Sequence, residues 1–219
     1  MRNTTVTLAV AVTVALVGCG PGAGASEPAQ KPSPTVLERA ARADSVRAGY
    51  NPADAEFMNG MIHHHAQALV MARMAPTHGA SPAVRILTKR IQNGQQDEIA
   101  LMERWLRDRG LPVPVRESLD ASAHAAEGAP HMAGMLTSDQ LERLDEARGE
   151  EWDRLFLTYM IQHHQGALIM VDELFDSYGA GRGDAIFKIA SDIAADQATE
   201  VDRMQRMLED LLFGPGAGP

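Results

Sequence analysis

Phe57-Met58-Asn59-Gly60-Met61-Ile62-His63-His64-His65-Ala66-Gln67-Ala68-Leu69-Val70-Met71 returns later in the chain as Phe156-Leu157-Thr158-Tyr159-Met160-Ile161-Gln162-His163-His164-Gln165-Gly166-Ala167-Leu168-Ile169-Met170. Each residue of the second copy lies 99 positions after its equivalent, without a gap, as Phe57 and Phe156 show. Both copies keep Phe, Met-Ile, His-His, Ala-Leu and a final Met in the same register. Polar imidazoles interrupt an otherwise apolar helical run, and thioether sulfurs sit one or two turns away. A repeat of this kind sets the architecture, because each unit must bury its apolar face against the other.

The local signals around the repeat are helical. Asn51-Pro52-Ala53-Asp54 combines an N-cap, a proline at the first helical position and a first-turn acid, and predicts a helix to about Ala75, stopped by Pro76. Ser81-Pro82 opens a second helix ending near Arg109, with Gly110 just beyond. Thr137-Ser138-Asp139-Gln140 is a capping box, with Leu136 and Leu141 placed as a hydrophobic staple. A break near Gly149, a helix to about Tyr178, and a last helix from Asp184 to Leu212 complete the chain.

The second helices also match. Ile91, Gln95, Glu98, Ile99, Met102 and Leu106 recur as Ile193, Gln197, Glu200, Val201, Met204 and Leu208, now 102 positions apart. Each half is a helical hairpin, and two hairpins make an all-α four-helix bundle. No alternating strand pattern competes. The expected domain is 51–213, with hairpin one over 51–110, a Pro/Gly/Ala-rich linker over 111–136 and hairpin two over 137–213.

Helical phase identifies the buried face. Phe57, Met61, His64, Ala68 and Met71 form one stripe, copied by Phe156, Met160, His163, Ala167 and Met170. His65 and His164 fall on the adjacent apolar row. His63 groups with Asn59 and Gln67 on the more polar side, with Gln162 in the copy. The partner helices bring Gln95 and Glu98, and Gln197 and Glu200, to the seam. Four His, two Gln and two Glu at similar depth cost several kcal/mol unless paired or bound to metal. Two readings follow: His and Glu satisfy one another with Met as core filler, or the layer is a metal or redox site. The duplication of every element favours the second.

Composition narrows the function classes. Aromatic residues are scarce at 5%, Met is plentiful at 12, and the mixture favours helices. The net charge is −9, without a Lys/Arg cluster, which argues against nucleic acid as a partner. There is no Ser/His/Asp order, Gly-rich phosphate loop or His-Glu-x-x-His motif, and no catalytic residue is assigned.

Residues 1–18 read as a lipoprotein signal peptide: Met1-Arg2, an apolar run from Thr4 to Val17 too short to span a bilayer, then Leu16-Val17-Gly18-Cys19. Cys19 is the single cysteine and the expected lipidation site. Residues 19–50 are expected to hold a Gly/Pro/Ala/Ser tether, over Gly20–Pro34, and a short amphipathic helix over Thr35–Ala48. The expected location is the cell envelope, anchored by lipid on the extracytoplasmic side, with membrane contact through that anchor only.

The Met-Ile-x-His-His hairpins resemble the secreted bacterial "domain of unknown function 305" family over about Asp54–Leu212, including His131-Met132-x-x-Met135. The resemblance implies a ferritin-like four-helix bundle, and some relatives look like copper binders. It carries over onto Met61, His64, His65 and Met71, and onto Met160, His163, His164 and Met170. Thioether and imidazole donors select copper, Cu(I) above all, over oxygen-seeking Mg, Ca or Mn. A di-iron centre would need Glu-x-x-His motifs that this chain lacks. The expected metal ligands are therefore His64, His65, His163, His164, Met61, Met71, Met160, Met170, Glu98 and Glu200. His131, Met132 and Met135 are candidates for a weaker secondary site or a flexible lid. The expected role is metal buffering, transfer or resistance; a metal-dependent oxidoreductase and a metal-free structural bundle are the alternatives.

Overall fold

The computed structural model describes residues 49–114 and 132–214. The signal peptide, Cys19, the tether and helix expected before residue 49, and His124 and His131 all lie outside the described residues. Among the described residues every regular element is a helix: α1 Pro52–Arg73, α2 Pro82–Arg107, a short α3 Ser138–Glu146, α4 Gly149–Asp176 and α5 Asp184–Phe213.

The caps form as their chemistry requires. The Asn51 side chain accepts from the Ala53 amide at 3.0 Å while Asp54 accepts from the Asn51 amide at 3.0 Å. Thr137 and Gln140 exchange the equivalent pair of bonds at 3.3 and 3.0 Å. Gly149 adopts φ 62, a left-handed conformation that separates α3 from α4.

α1 packs along α2 and α4 along α5, and the hairpins meet mainly through α1 against α4. This is a ferritin-like four-helix bundle made of two duplicated hairpins. The two halves also hold each other's turns: Asp54 of α1 accepts from the Gly181 amide at 2.7 Å, and its repeat equivalent Asp153 accepts from the Ser81 amide at 3.2 Å. Both carboxylates are buried.

The apolar core is split in two. One cluster joins Phe57, Met58 and Met61 to Met102, Met170 and Leu174; the other joins Met71 and Leu87 to Trp152, Phe156, Met160 and Met204. The first contains the start of α1 and the end of α4, and the second the reverse, so these helices run antiparallel. The histidine pairs fall between the clusters on both helices.

The end of the linker, where a weaker secondary site or a flexible lid was expected, packs onto the bundle. Residues Met132–Leu136 lie as a strap across α1 and α4. The Leu136 backbone amide donates to the Gln67 side-chain Oε1 at 2.8 Å, and Gln67 Nε2 donates back to the Leu136 carbonyl at 3.1 Å. Gln162 donates to the Gly134 carbonyl at 3.3 Å. Gln67, expected on the polar side, is consequently fully buried. Its repeat equivalent, Gly166, has no side chain because the strap occupies that space: a Cβ there would collide with the Ala133 carbonyl and lie 2.6 Å from the Gly134 Cα.

This contact reverses an ordinary rule. Alanine normally stabilises a helix interior by about 1 kcal/mol over glycine. Gly166→Ala should instead destabilise the protein by about 1–3 kcal/mol in chemical denaturation, through overpacking against the strap. A stabilised variant would show that the strap does not press on α4.

Candidate metal centre

His64, His65, His163 and His164 are all fully buried. Consecutive histidines on a helix diverge by one residue's rotation, so each pair aims its rings in two directions. His64 and His163 point at each other across the α1–α4 contact, with ring centroids 3.8 Å apart and planes tilted by 40°. His65 turns towards α2 and His164 towards α5. Their Nε2 atoms each lie 2.7 Å from a carboxylate oxygen, of Glu98 and Glu200 respectively. The His–Glu pairs are thus two-fold symmetric in their chemistry as well as their sequence.

A carboxylate only accepts, so in each pair the shared proton belongs to the imidazole Nε2. His64 Nε2 donates to the Ala133 carbonyl at 3.1 Å, which ties the strap to the site. The Nδ1 atoms of His64, His65 and His164, and both ring nitrogens of His163, have no well-formed hydrogen bond. Buried polar atoms are nearly always satisfied, so such a concentration demands a cause. A ring that gives its Nε2–H to a carboxylate presents a lone pair on Nδ1, the arrangement of a metal-ligating histidine with its outer carboxylate.

Burial holds the His64 imidazole down to a pKa of about 3, helped by the neighbouring His65 and His164 and only partly offset by the Ala133 carbonyl. Burial likewise pushes His163 well below the ordinary histidine value, with His64, His164 and His65 adding to the effect. Both rings are neutral at pH 7 and can act as donors to a cation without losing a proton. His63 is half-buried and only mildly lowered, by partial burial.

Sulfur brackets the layer on both sides. Met61 and Met160 precede the first histidine of each pair by one turn, and both are fully buried. Met61 and Met170 belong to one apolar cluster, Met71 and Met160 to the other. The strap adds Met132, whose sulfur lies 3.5 Å from the position a Gly60 Cβ would take, beside the Met170 methyl at 3.4 Å. Met132, Met170, Gly60, Phe57 and Glu56 line a cavity of about 430 Å³ opening to the surface. Met135 is half-buried in the strap.

Among the described residues, no three His, Cys, Asp or Glu side chains stand ready to hold one ion. The donor types gathered around the layer are imidazole nitrogen and, in the apolar clusters on either side, thioether sulfur. Sequence reasoning missed two neighbours of the layer. One is the Ala133 carbonyl, for which the only signal was the glycine pair Gly134 and Gly166. The other is Asp196 on α5, held above the usual carboxylate range by partial burial and by Glu98, Glu200 and Asp192.

Residues 54–208 match the family model described as "Domain of unknown function (DUF305)". The chain belongs to the DUF305 family. Among solved structures, a DUF305 fragment from Deinococcus radiodurans is 29% identical, with a TM-score of 0.59 over 73% of this chain and 97% of its own. CopM in its Cu(I)-bound form is 28% identical, with a TM-score of 0.55 over 74% of this chain and 98% of its own. A DUF305 protein from Streptomyces coelicolor, described as secreted, shares the fold at 22% identity and a TM-score of 0.61, over 76% of this chain and 98% of its own. CopM has also been solved with Cu(II) and with silver bound. No curated protein sequence matched this DUF305 chain.

The neutral histidines give a pH dependence of fixed sign. Unfolded, His64 and His163 titrate near 6.5; folded, both titrate lower. Their full contribution to stability is present above pH 6.5 and is lost as pH falls towards the folded values. Each imidazole removes up to about 1.4 kcal/mol per pH unit in that window. The urea midpoint of the metal-free protein should therefore be lower at pH 5 than at pH 7. Equal midpoints would mean that these rings are not sealed from water.

Proposed function

We propose that this DUF305 protein binds copper in its histidine layer and serves copper buffering, transfer or resistance at the cell envelope. The observation that carries the reading is the duplicated His–Glu pair: each glutamate occupies one ring nitrogen and leaves the other buried without a partner. The copper- and silver-bound states of CopM, a relative with 28% identity in its Cu(I) form, support it.

In this reading His64, His65, His163 and His164 offer nitrogen, and Met61, Met71, Met160 and Met170 offer sulfur. Glu98 and Glu200 hold the imidazoles in orientation from behind, and Met132 stands where the strap meets Met170. Bound copper would supply a soft Lewis-acid and one-electron redox centre. The residues themselves exclude water, keep two rings neutral and fix the donors before the ion arrives, which favours Cu(I) over harder ions.

Replacing His64 and His65 together by Ala should remove part of the copper capacity, and replacing His163 and His164 another part. His63→Ala should change little. Met61→Leu and Met160→Leu conserve volume and should cost less than about 1.5 kcal/mol in stability. In these variants Cu(I) affinity should fall more than Cu(II) affinity. Competitive titration decides it: double histidine variants that bind like the wild type would make the layer structural and favour the metal-free bundle.

The anchor is part of the proposal. With Leu16-Val17-Gly18-Cys19 ending a short apolar run, Cys19 would carry lipid on the extracytoplasmic side. Labelling with a radioactive fatty acid should mark the wild type and not Cys19→Ala; equal labelling of the two would remove the anchor from the account.

A further inference from the structure

The strap covers the α1–α4 face of the histidine layer; the opposite face, between α2 and α5, opens into a pocket of about 290 Å³. Its lining includes Glu98, Asp196 and Glu200, opposed by the single cation Arg90, together with Gln95 and Gln197. The two glutamines are 2% and 1% exposed. Neither amide atom of Gln95 has a hydrogen-bond partner in the protein, nor does the carbonyl oxygen of Gln197. Burying an amide in this state is unfavourable, and both repeats do it at equivalent positions. An acidic pocket alone would be an ordinary solvated surface. Paired, sequestered amide oxygens beside it are what a cation needs.

We propose that this pocket is a second cation site, for a divalent ion of the Mg²⁺ or Mn²⁺ class that takes only oxygen ligands and keeps part of its water shell. Oxygen-only donors select such ions over copper. Among the described residues no three carboxylates stand ready to grip one bare ion, so retained waters would bridge to them, as is usual for ions that dehydrate reluctantly. Six waters at roughly 30 Å³ each need about 180 Å³, which the pocket can hold. The site shares only Glu98 and Glu200 with the copper centre. Each glutamate gives one oxygen to an imidazole and leaves the other for the pocket, so this proposal does not depend on the copper reading.

Electron paramagnetic resonance of free Mn²⁺ tests it on the metal-free protein. The wild type should bind about one ion with a dissociation constant on the order of 10⁻⁴–10⁻³ M, the range of weak oxygen-ligand sites, and Mg²⁺ should compete. Asp196→Asn removes one of three lining negative charges and should weaken Mn²⁺ binding about tenfold. Gln95→Leu with Gln197→Leu keeps side-chain bulk and should weaken it as well. Both variants should bind Cu(I) like the wild type. A wild type that leaves the Mn²⁺ signal unchanged to millimolar protein overturns the proposal, and so do variants that bind Mn²⁺ undiminished. Loss of Cu(I) binding from the wild type with Mn²⁺ binding intact would overturn the copper reading and leave this one standing.

Discussion

Four imidazoles packed into one layer of an apolar bundle are the constraint that the rest of this molecule accommodates. Each buried polar ring without compensation costs on the order of 1–3 kcal/mol, against a typical total stability of only about 5–15 kcal/mol. The structure compensates unevenly. Glu98 and Glu200 satisfy one nitrogen each on His65 and His164, and the Ala133 carbonyl satisfies one on His64. The remaining nitrogens stay buried without a well-formed hydrogen bond. The cost is left standing at the place where a soft cation would remove it.

Several features of the fold follow from that layer. The apolar core divides into two clusters because polar rings lie between them. The strap must lie close to α4 to bring a backbone carbonyl to His64, and the absence of side-chain bulk at Gly134 and Gly166 permits that approach. Gln67 then secures the strap with two bonds to one residue. On the far face, the same glutamates that orient the imidazoles line an oxygen-rich pocket. A single pair of carboxylates thus faces the imidazoles on one side and the pocket on the other.

Much of this was legible in the sequence because it rests on short-range chemistry. The caps at Asn51, Ser81 and Thr137 act over two or three residues, and helical phase alone places Met61, His64, His163 and Met160 on the buried seam. The match of Gln95-x-x-Glu98 to Gln197-x-x-Glu200 likewise announced the carboxylates facing the pairs. What escaped notice acts across long separations. Gln67 looked solvated because its helix gives no sign that Leu136, 69 residues away, returns to cover it. The linker's Pro, Gly and Ala content suggested a loose connection, yet the close approach that Gly134 and Gly166 permit brings its last residues against the histidine layer. Asp54 was legible as a first-turn acid, but not as a carboxylate that, like Asp153 in the other half, secures the turn of the opposite hairpin.

The central claim is that the histidine layer and its flanking methionines form one soft-metal centre. X-ray absorption at the copper K-edge, on the full chain loaded with substoichiometric Cu(I), addresses it directly. The account predicts a first shell containing both imidazole nitrogen and thioether sulfur, with the sulfur contribution reduced in Met61→Leu/Met160→Leu. A shell of oxygen and nitrogen alone, or copper that washes out of the folded protein, would contradict it.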